Sequence, residues 1–269
     1  MKTDLFSLKG KSAIVTGATG LIGKYHCRAL SMAGADLVVS DIDELKCTEF
    51  AKTLDNNAVG VGCDITNRNS VKDLLNRTKE YFGKVDILVN NAAINDMFEN
   101  PESAGEESKF ENYPLHIWQK SLDVNLTGTF LCCQIIGSDM AANGKGSIIN
   151  IASTYGITAP DQSLYIKPDG SRDFYKSPAY SATKGAIISF TKFLAAYWGN
   201  KGVRVNTLTP GGVENNQADW FISKYSERTP LGRMAKPDDY MGAIVFLASD
   251  ASDYMTGANL IVDGGWTAW

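Results

Sequence analysis

The strongest constraint on this chain is an alternation. Seven short apolar runs occur at Ser12–Thr16, Leu37–Ser40, Val59–Cys63, Asp86–Asn90, Ser147–Ile151, Val203–Thr207 and Asn259–Val262. Their brevity and apolar, partly β-branched content suit strands buried on both faces of a parallel sheet. Between them, Tyr25–Ala33, Ser70–Phe82, Leu115–Asn143, Ala179–Asn200 and Pro237–Ala248 carry helical spacing. In the fourth, Ala182, Ala186, Ile187, Phe190, Phe193, Leu194 and Tyr197 build one apolar stripe. Strands alternating with helices predict an α/β fold, a doubly wound, seven-stranded parallel sheet with helices on both faces. No internal repeat or linker interrupts the pattern, so residues 1–269 read as a single domain.

Composition then narrows the function. At 44% hydrophobic and 21% charged, the chain has enough apolar surface to fold. A formal net charge of −4 argues against nucleic acid, which calls for a basic face. No run of about 18 apolar residues is present to span a membrane. Asp4, Lys9 and Lys11 interrupt any signal-peptide core. The two histidines, His26 and His116, lack metal-ligand spacing to a second ligand, so no metal is expected. The five cysteines, Cys27, Cys47, Cys63, Cys132 and Cys133, contain no CxxC pair; Cys132 and Cys133, in an apolar stretch, read as buried free thiols, and the chain reads as cytoplasmic.

Two polar stretches are long for loops inside a compact fold, Ile94–Pro114 with five glutamates and Thr154–Pro178 with four aromatic residues. Both follow the carboxyl ends of predicted strands, where open α/β sheets bind ligands. The first strand also runs into a glycine-rich turn, Thr16-Gly17-Ala18-Thr19-Gly20-Leu21-Ile22-Gly23, followed by a helix. Such a turn lets the backbone approach a pyrophosphate, and the helix N-terminus favours the anion. Asp41 ends the second strand, where a carboxylate accepts hydrogen bonds from ribose hydroxyls and repels a 2′-phosphate. NAD is therefore the expected cofactor.

The order of motifs resembles the short-chain dehydrogenase/reductase family from end to end. The carrying segments are TGATGLIG at 16–23, CDIT at 63–66, NNAA at 90–93, VNLTG at 124–128, INIAS at 149–153, YSATK at 180–184, RVNTLTPGG at 204–212 and DGG at 263–265. The resemblance implies a Rossmann fold with cofactor contacts at Gly17, Thr19, Gly20, Leu21, Ile22, Gly23, Asp41 and Ile42. It implies further contacts at Asp64 and Ile65 beside the adenine, at Asn91, Ala92 and Ala93, and at Pro210, Gly211 and Val213 along the nicotinamide. Asn90 is expected to help hold the cofactor side of the sheet. Three positions depart from the family pattern. The middle glycine is Gly20 rather than position 21, Ala93 replaces a glycine, and Asn215 stands where a threonine is usual. They bear on cofactor pose.

Tyr180 and Lys184 lie four apart on a predicted helix, so both side chains emerge on one face. An ammonium and the positive nicotinamide of NAD⁺ favour phenolate, which makes Tyr180 an acid/base. Ser153 ends the fifth strand and can stabilise charge on the substrate oxygen. The resemblance implies that Asn125 organises a water relaying protons to Lys184, and that Lys184 also holds the nicotinamide ribose. The catalytic set is thus Asn125, Ser153, Tyr180 and Lys184.

Tyr180 follows Ser153 by 27 positions, about twice the usual family spacing. The excess lies in 154–178, a substrate-lid candidate, and 213–233 occupies the family's other substrate-loop position. Lys167, Arg172, Lys176, Lys224 and Arg228 are candidates to meet an anionic substrate. The two insertions and PGGVENN look like dehydrogenases of flagellin-glycan and nonulosonic-acid sugar pathways. The expected function is NAD-dependent interconversion of a secondary alcohol and a ketone on a sugar, sugar phosphate or nucleotide sugar. Rival readings are the same chemistry on a polyol, sugar acid or 3-oxoacyl substrate, and a non-catalytic NAD(H)-sensing protein. The resemblance implies a homotetramer, or a dimer, pairing the helices around 115–143 and 179–200. Trp266 or Trp269 is expected to pack near a subunit interface or the substrate pocket.

Overall fold

A computed structural model describes residues 4–95 and 104–269. Eight residues of the 94–114 stretch therefore lie outside the described part. Seven strands form one sheet: β1 (Ser12–Thr16), β2 (Asp36–Asp41), β3 (Ala58–Gly62), β4 (Ile87–Asn90), β5 (Gly146–Ile151), β6 (Val203–Pro210) and β7 (Asn259–Val262). Their order is β3-β2-β1-β4-β5-β6-β7, and every pairing is parallel. The chain winds outward to β3 and then returns to β4 beside β1. That reversal opens a crevice at the carboxyl ends of β1 and β4.

Helices α1 (Gly23–Met32), α2 (Glu44–Ala51) and α3 (Arg68–Phe82) connect the first four strands. Helix α4 runs over 115–142 and is interrupted by π-helical turns at Asp123–Gly128 and Cys133–Gly137. Helix α5 (Pro178–Trp198) follows the 154–178 segment, α6 (Asp219–Glu227) lies within the second substrate segment, and α7 (Met241–Ala248) precedes β7.

Strand side chains alternate between two buried clusters, as a period of two requires. Val15, Val39, Val89 and Ile149 pack with residues of α1, α2 and α7. Their neighbours Ile14, Val38, Leu88 and Ile148 pack on the other face with residues of α3, α4 and α5. Fully burying each such side chain contributes about 1.5–3 kcal/mol. A third, smaller cluster of Leu164, Tyr165, Phe221, Tyr225, Met234 and Trp266 lies apart from both. It joins the 154–178 segment, α6 and the C-terminal turn.

The strands lie where the apolar runs predict, with shifted ends. β6 extends to Pro210 because β7 pairs with its last four residues, Thr207 through Pro210. The five cysteines are free and buried. No helix among the described residues is long and apolar enough to cross a membrane.

Candidate active site

The glycine turn after β1 packs against the end of β4. Gly17 has φ +61°, and a Cβ there would lie 2.6 Å from the Ala92 Cα, so only glycine fits. Asn91 braces the turn, its Nδ2 donating to the carbonyls of Thr16 at 3.0 Å and Gly17 at 2.8 Å. Helix α1 begins without a side-chain cap and without an acidic residue in its first turn. Its uncapped N–H groups and positive dipole end suit a pyrophosphate.

At the end of β2, Asp41 Oδ2 accepts from the Thr19 N–H at 3.1 Å and the Thr19 hydroxyl at 2.6 Å, while Oδ1 accepts from the Ile42 N–H at 2.8 Å. A carboxylate offers about four acceptor sites. Three are filled from within the chain, so capture of two ribose hydroxyls requires the Thr19 hydroxyl to turn away. Asp64 is similarly tied, its Oδ1 accepting from the Thr66 N–H and hydroxyl.

The chemical end is set by β5, α4 and α5. Ser153 follows β5, and Tyr180 hydrogen-bonds to it. Ser177 caps α5, accepting from the Tyr180 N–H at 3.3 Å. That cap and Pro178 start the helix where Tyr180 and Lys184 both face inward. Burial pushes the Tyr180 phenol above its ordinary value, and the Ser153 hydrogen bond opposes this. Burial wins among the protein's own groups. Lys184 is buried, donates to the Ile151 carbonyl at 2.8 Å, and lies 5.7 Å from the Tyr180 ring centroid. Burial lowers its pKa to about 8.

A cleft of about 880 Å³ joins the two ends. Gly17, Thr19, Gly20, Leu21, Ile22, Gly23, Asp41, Ile42, Asp64, Ile65, Asn91, Ala92 and Ala93 line it, as do Ser153, Tyr180, Lys184, Pro210, Gly211 and Val213. Asn125 does not. It sits in the first π-helical turn, where its amide accepts from the Ile94 N–H at 2.8 Å and donates to the Ile94 carbonyl and the Thr183 hydroxyl. It thus ties α4 to the residue before Lys184. Asn90 also stays out of the cleft, donating to Asn150 Oδ1 at 2.8 Å and so holding β4 to β5 inside the sheet.

The roof of the cleft draws on the two segments expected to meet substrate, 154–178 and 213–233, and on the residue after them. Tyr155, Tyr165, Lys176, Phe221, Tyr225 and Met234 all line it. The Tyr155 and Tyr165 hydroxyls pair at 3.1 Å. The Tyr225 hydroxyl accepts from the Gly212 N–H at 2.7 Å, and its ring stacks on Trp266 at 4.1 Å between centroids. Trp266 therefore backs the pocket wall, whereas Trp269 is 80% exposed. Of the five basic residues expected to meet an anion, four are engaged elsewhere. Lys167 pairs with Asp173, Arg228 with Asp161, Lys224 donates to the Ile166 carbonyl, and Arg172 lies over the Tyr175 ring. Only Lys176 reaches the cleft. The aromatic content of 154–178 and the position of 213–233 are the sequence signals for this roof.

A family model described as enoyl-(acyl carrier protein) reductase matches residues 17–267. A D-threitol dehydrogenase of Mycolicibacterium smegmatis is 36% identical, covering 97% of this chain and 95% of its own. A 2-dehydro-3-deoxy-D-gluconate 5-dehydrogenase of Pseudoalteromonas atlantica is 37% identical, covering 98% of both. Among solved structures, a gluconate 5-dehydrogenase of Burkholderia cenocepacia, in complex with NADP and tartrate, superposes with a TM-score of 0.85 at 31% identity, covering 99% of this chain and 98% of its own. Motif order, fold and relatives agree: the chain belongs to the short-chain dehydrogenase/reductase family and is an oxidoreductase of alcohols and ketones.

Proposed function

We propose that this protein is an NAD(H)-dependent oxidoreductase interconverting a secondary alcohol and a ketone on a small sugar-like substrate. The observation that carries the reading is the single cleft that joins the glycine turn and Asp41 to Ser153, Tyr180 and Lys184. A protein that only sensed NAD(H) would have no use for a buried phenol and ammonium at its far end. The cofactor, when bound, supplies or accepts the hydride at the substrate carbon.

The chain's own residues do the rest. Gly17, Gly20 and Gly23 let backbone N–H groups at the start of α1 hold the pyrophosphate. Asp41 favours NAD, because its fixed carboxylate stands where a 2′-phosphate would bring more negative charge. Ser153 holds the substrate oxygen beside the Tyr180 hydroxyl. Tyr180 takes the alcohol proton during oxidation and returns one to the carbonyl oxygen during reduction. Lys184 favours its phenolate form, and Asn125 positions the catalytic helix by tying α4 to Thr183, the residue before Lys184.

The substrate class follows from the relatives' names and the lining. Threitol and deoxygluconate are small polyhydroxylated compounds. Asn95, Asn215, Gln217 and the tyrosine hydroxyls of the roof can exchange hydrogen bonds with such groups. A polyol or sugar acid therefore joins sugars and sugar phosphates as a candidate. The test is the change in NADH absorbance across polyols, sugar acids, sugar phosphates, nucleotide sugars and 3-oxoacyl compounds. Turnover confined to polyhydroxylated substrates supports the proposal, and turnover confined to 3-oxoacyl substrates contradicts it.

We further propose that the protein is a homotetramer that uses the α4–α5 face. Phe130, Phe193 and Tyr197 are 41%, 61% and 59% exposed there, and the last two rings stack at 5.9 Å. A second copy would remove that apolar surface from water.

A further inference from the structure

Lys176 belongs to the 154–178 segment, yet its side chain lies beside the acid/base. It is only 5% exposed. Its Nζ lies 5.0 Å from the Tyr180 ring centroid, nearer than Lys184 at 5.7 Å, and 5.9 Å from the Tyr155 ring. Nζ donates to Asn95 Oδ1 at 2.9 Å. Gln162 fixes the backbone from both sides, accepting from the Lys176 N–H at 2.9 Å and donating to its carbonyl at 3.2 Å. On one side Tyr175 N–H donates to Ser108 Oγ, and on the other Ser177 caps the catalytic helix. The backbone around Lys176 is thus fixed by Gln162 and by its neighbours, and its ammonium is held by Asn95 beside the Tyr180 ring.

We propose that Lys176 is a positioning residue for the reaction, a second cation supplied by the lid that favours the phenolate of Tyr180. The proposal rests on Tyr180 being the acid/base. Its physical basis is that a nearby cation favours the charged form of an acid, and the Lys176 ammonium lies over the ring that would carry that charge. The π face of a neutral tyrosine already attracts such a cation, and a phenolate attracts it more strongly. The effect is needed here because burial opposes ionisation of Tyr180.

The other groups around the phenol, among the described residues, do not supply the same field. Lys184 lies on the same helix as Tyr180 and farther from its ring, at 5.7 Å. Tyr155 and Tyr165 face Tyr180 from the lid and, if ionised, would disfavour a second phenolate. Ser153 from the end of β5 and Asn125 from α4 are uncharged. Tyr225 of α6 is engaged with Gly212 and Thr154. Lys176 is therefore the cation through which the lid, rather than the helix, tunes the base.

The test needs no substrate. Ultraviolet difference titration of the NAD⁺ complex reports phenolate formation, and subtraction of Tyr180→Phe isolates the signal of Tyr180. Lys176→Met is expected to raise that pKa by about one unit, a tenfold loss of phenolate at a given pH. Lys176→Arg, which keeps the charge, is expected to stay near wild type. Near-ultraviolet circular dichroism checks packing, and Lys176→Gln serves if the methionine variant misfolds. An unshifted titration in the well-folded Met or Gln variant overturns the proposal while leaving Tyr180 as the acid/base. A wild-type titration that Tyr180→Phe does not alter overturns both.

Discussion

At the scale of single residues, neighbours decide what a side chain can do. Asp41 is held by Thr19 and Ile42, so its charge is placed before any ribose arrives. Asp41→Ala should lower the preference for NAD over NADP by at least tenfold, read as the ratio of kcat/KM values with the two cofactors. A wild-type enzyme that already prefers NADPH contradicts the argument. His26 shows the cost of burial without a partner. It is fully buried on α1, neither ring nitrogen has a hydrogen-bond partner, and its pKa is lowered to about 4. The unfolded chain, at about 6.5, binds the proton more readily. Stability is therefore complete above about pH 6.5 and falls by about 3 kcal/mol as the pH drops to 4. Denaturant melts of wild type and His26→Phe across that window check this, since the variant should lose that part of the slope.

At the scale of elements, the strands and α5 were legible because their signals are local. Ile14 and Val15 already declare opposite faces by alternation, and Ser177-Pro178 marks the start of a helix. Helix α6 was missed because Trp220, Phe221 and Tyr225 sit in a segment rich in polar residues, and their apolar partners are distant in sequence. Those partners are Tyr165, Met234 and Trp266. The π-helical turn at Asn125 has no sequence signature, since its side-chain partners lie at Ile94 and Thr183. The same distance rule explains the basic residues. Nothing local told that Lys167, Arg172, Lys224 and Arg228 would be engaged elsewhere while Lys176 turned inward. The stack of Trp266 on Tyr225 gives this scale its prediction. Removing residues 266–269 should lower kcat/KM at least tenfold while leaving NADH affinity, measured by fluorescence, nearly unchanged.

At the scale of the whole molecule, the sheet order places a cofactor crevice at one end of the strands, and residues of 154–178 and α6 roof it. Gly105 N–H donates to the Asp173 carbonyl at 2.7 Å, and Tyr113 and Ser177 hydroxyls pair at 2.9 Å, so the two insertions are joined. Lys224 and Arg228 tie the roof to α6. The proposed assembly lies elsewhere, on the α4–α5 face. Phe193→Glu should convert the tetramer to smaller species in light-scattering chromatography, and an unchanged mass contradicts that interface.

The central claim is that Tyr180 moves the proton in a hydride-transfer reaction that this cleft encloses. The most direct measurement compares Tyr180→Phe with wild type on whichever alcohol gives NADH, together with NADH binding by both. A fall in kcat of about 10²–10⁴-fold with NADH affinity intact is the predicted result. Turnover by the phenylalanine variant at the wild-type rate would contradict it.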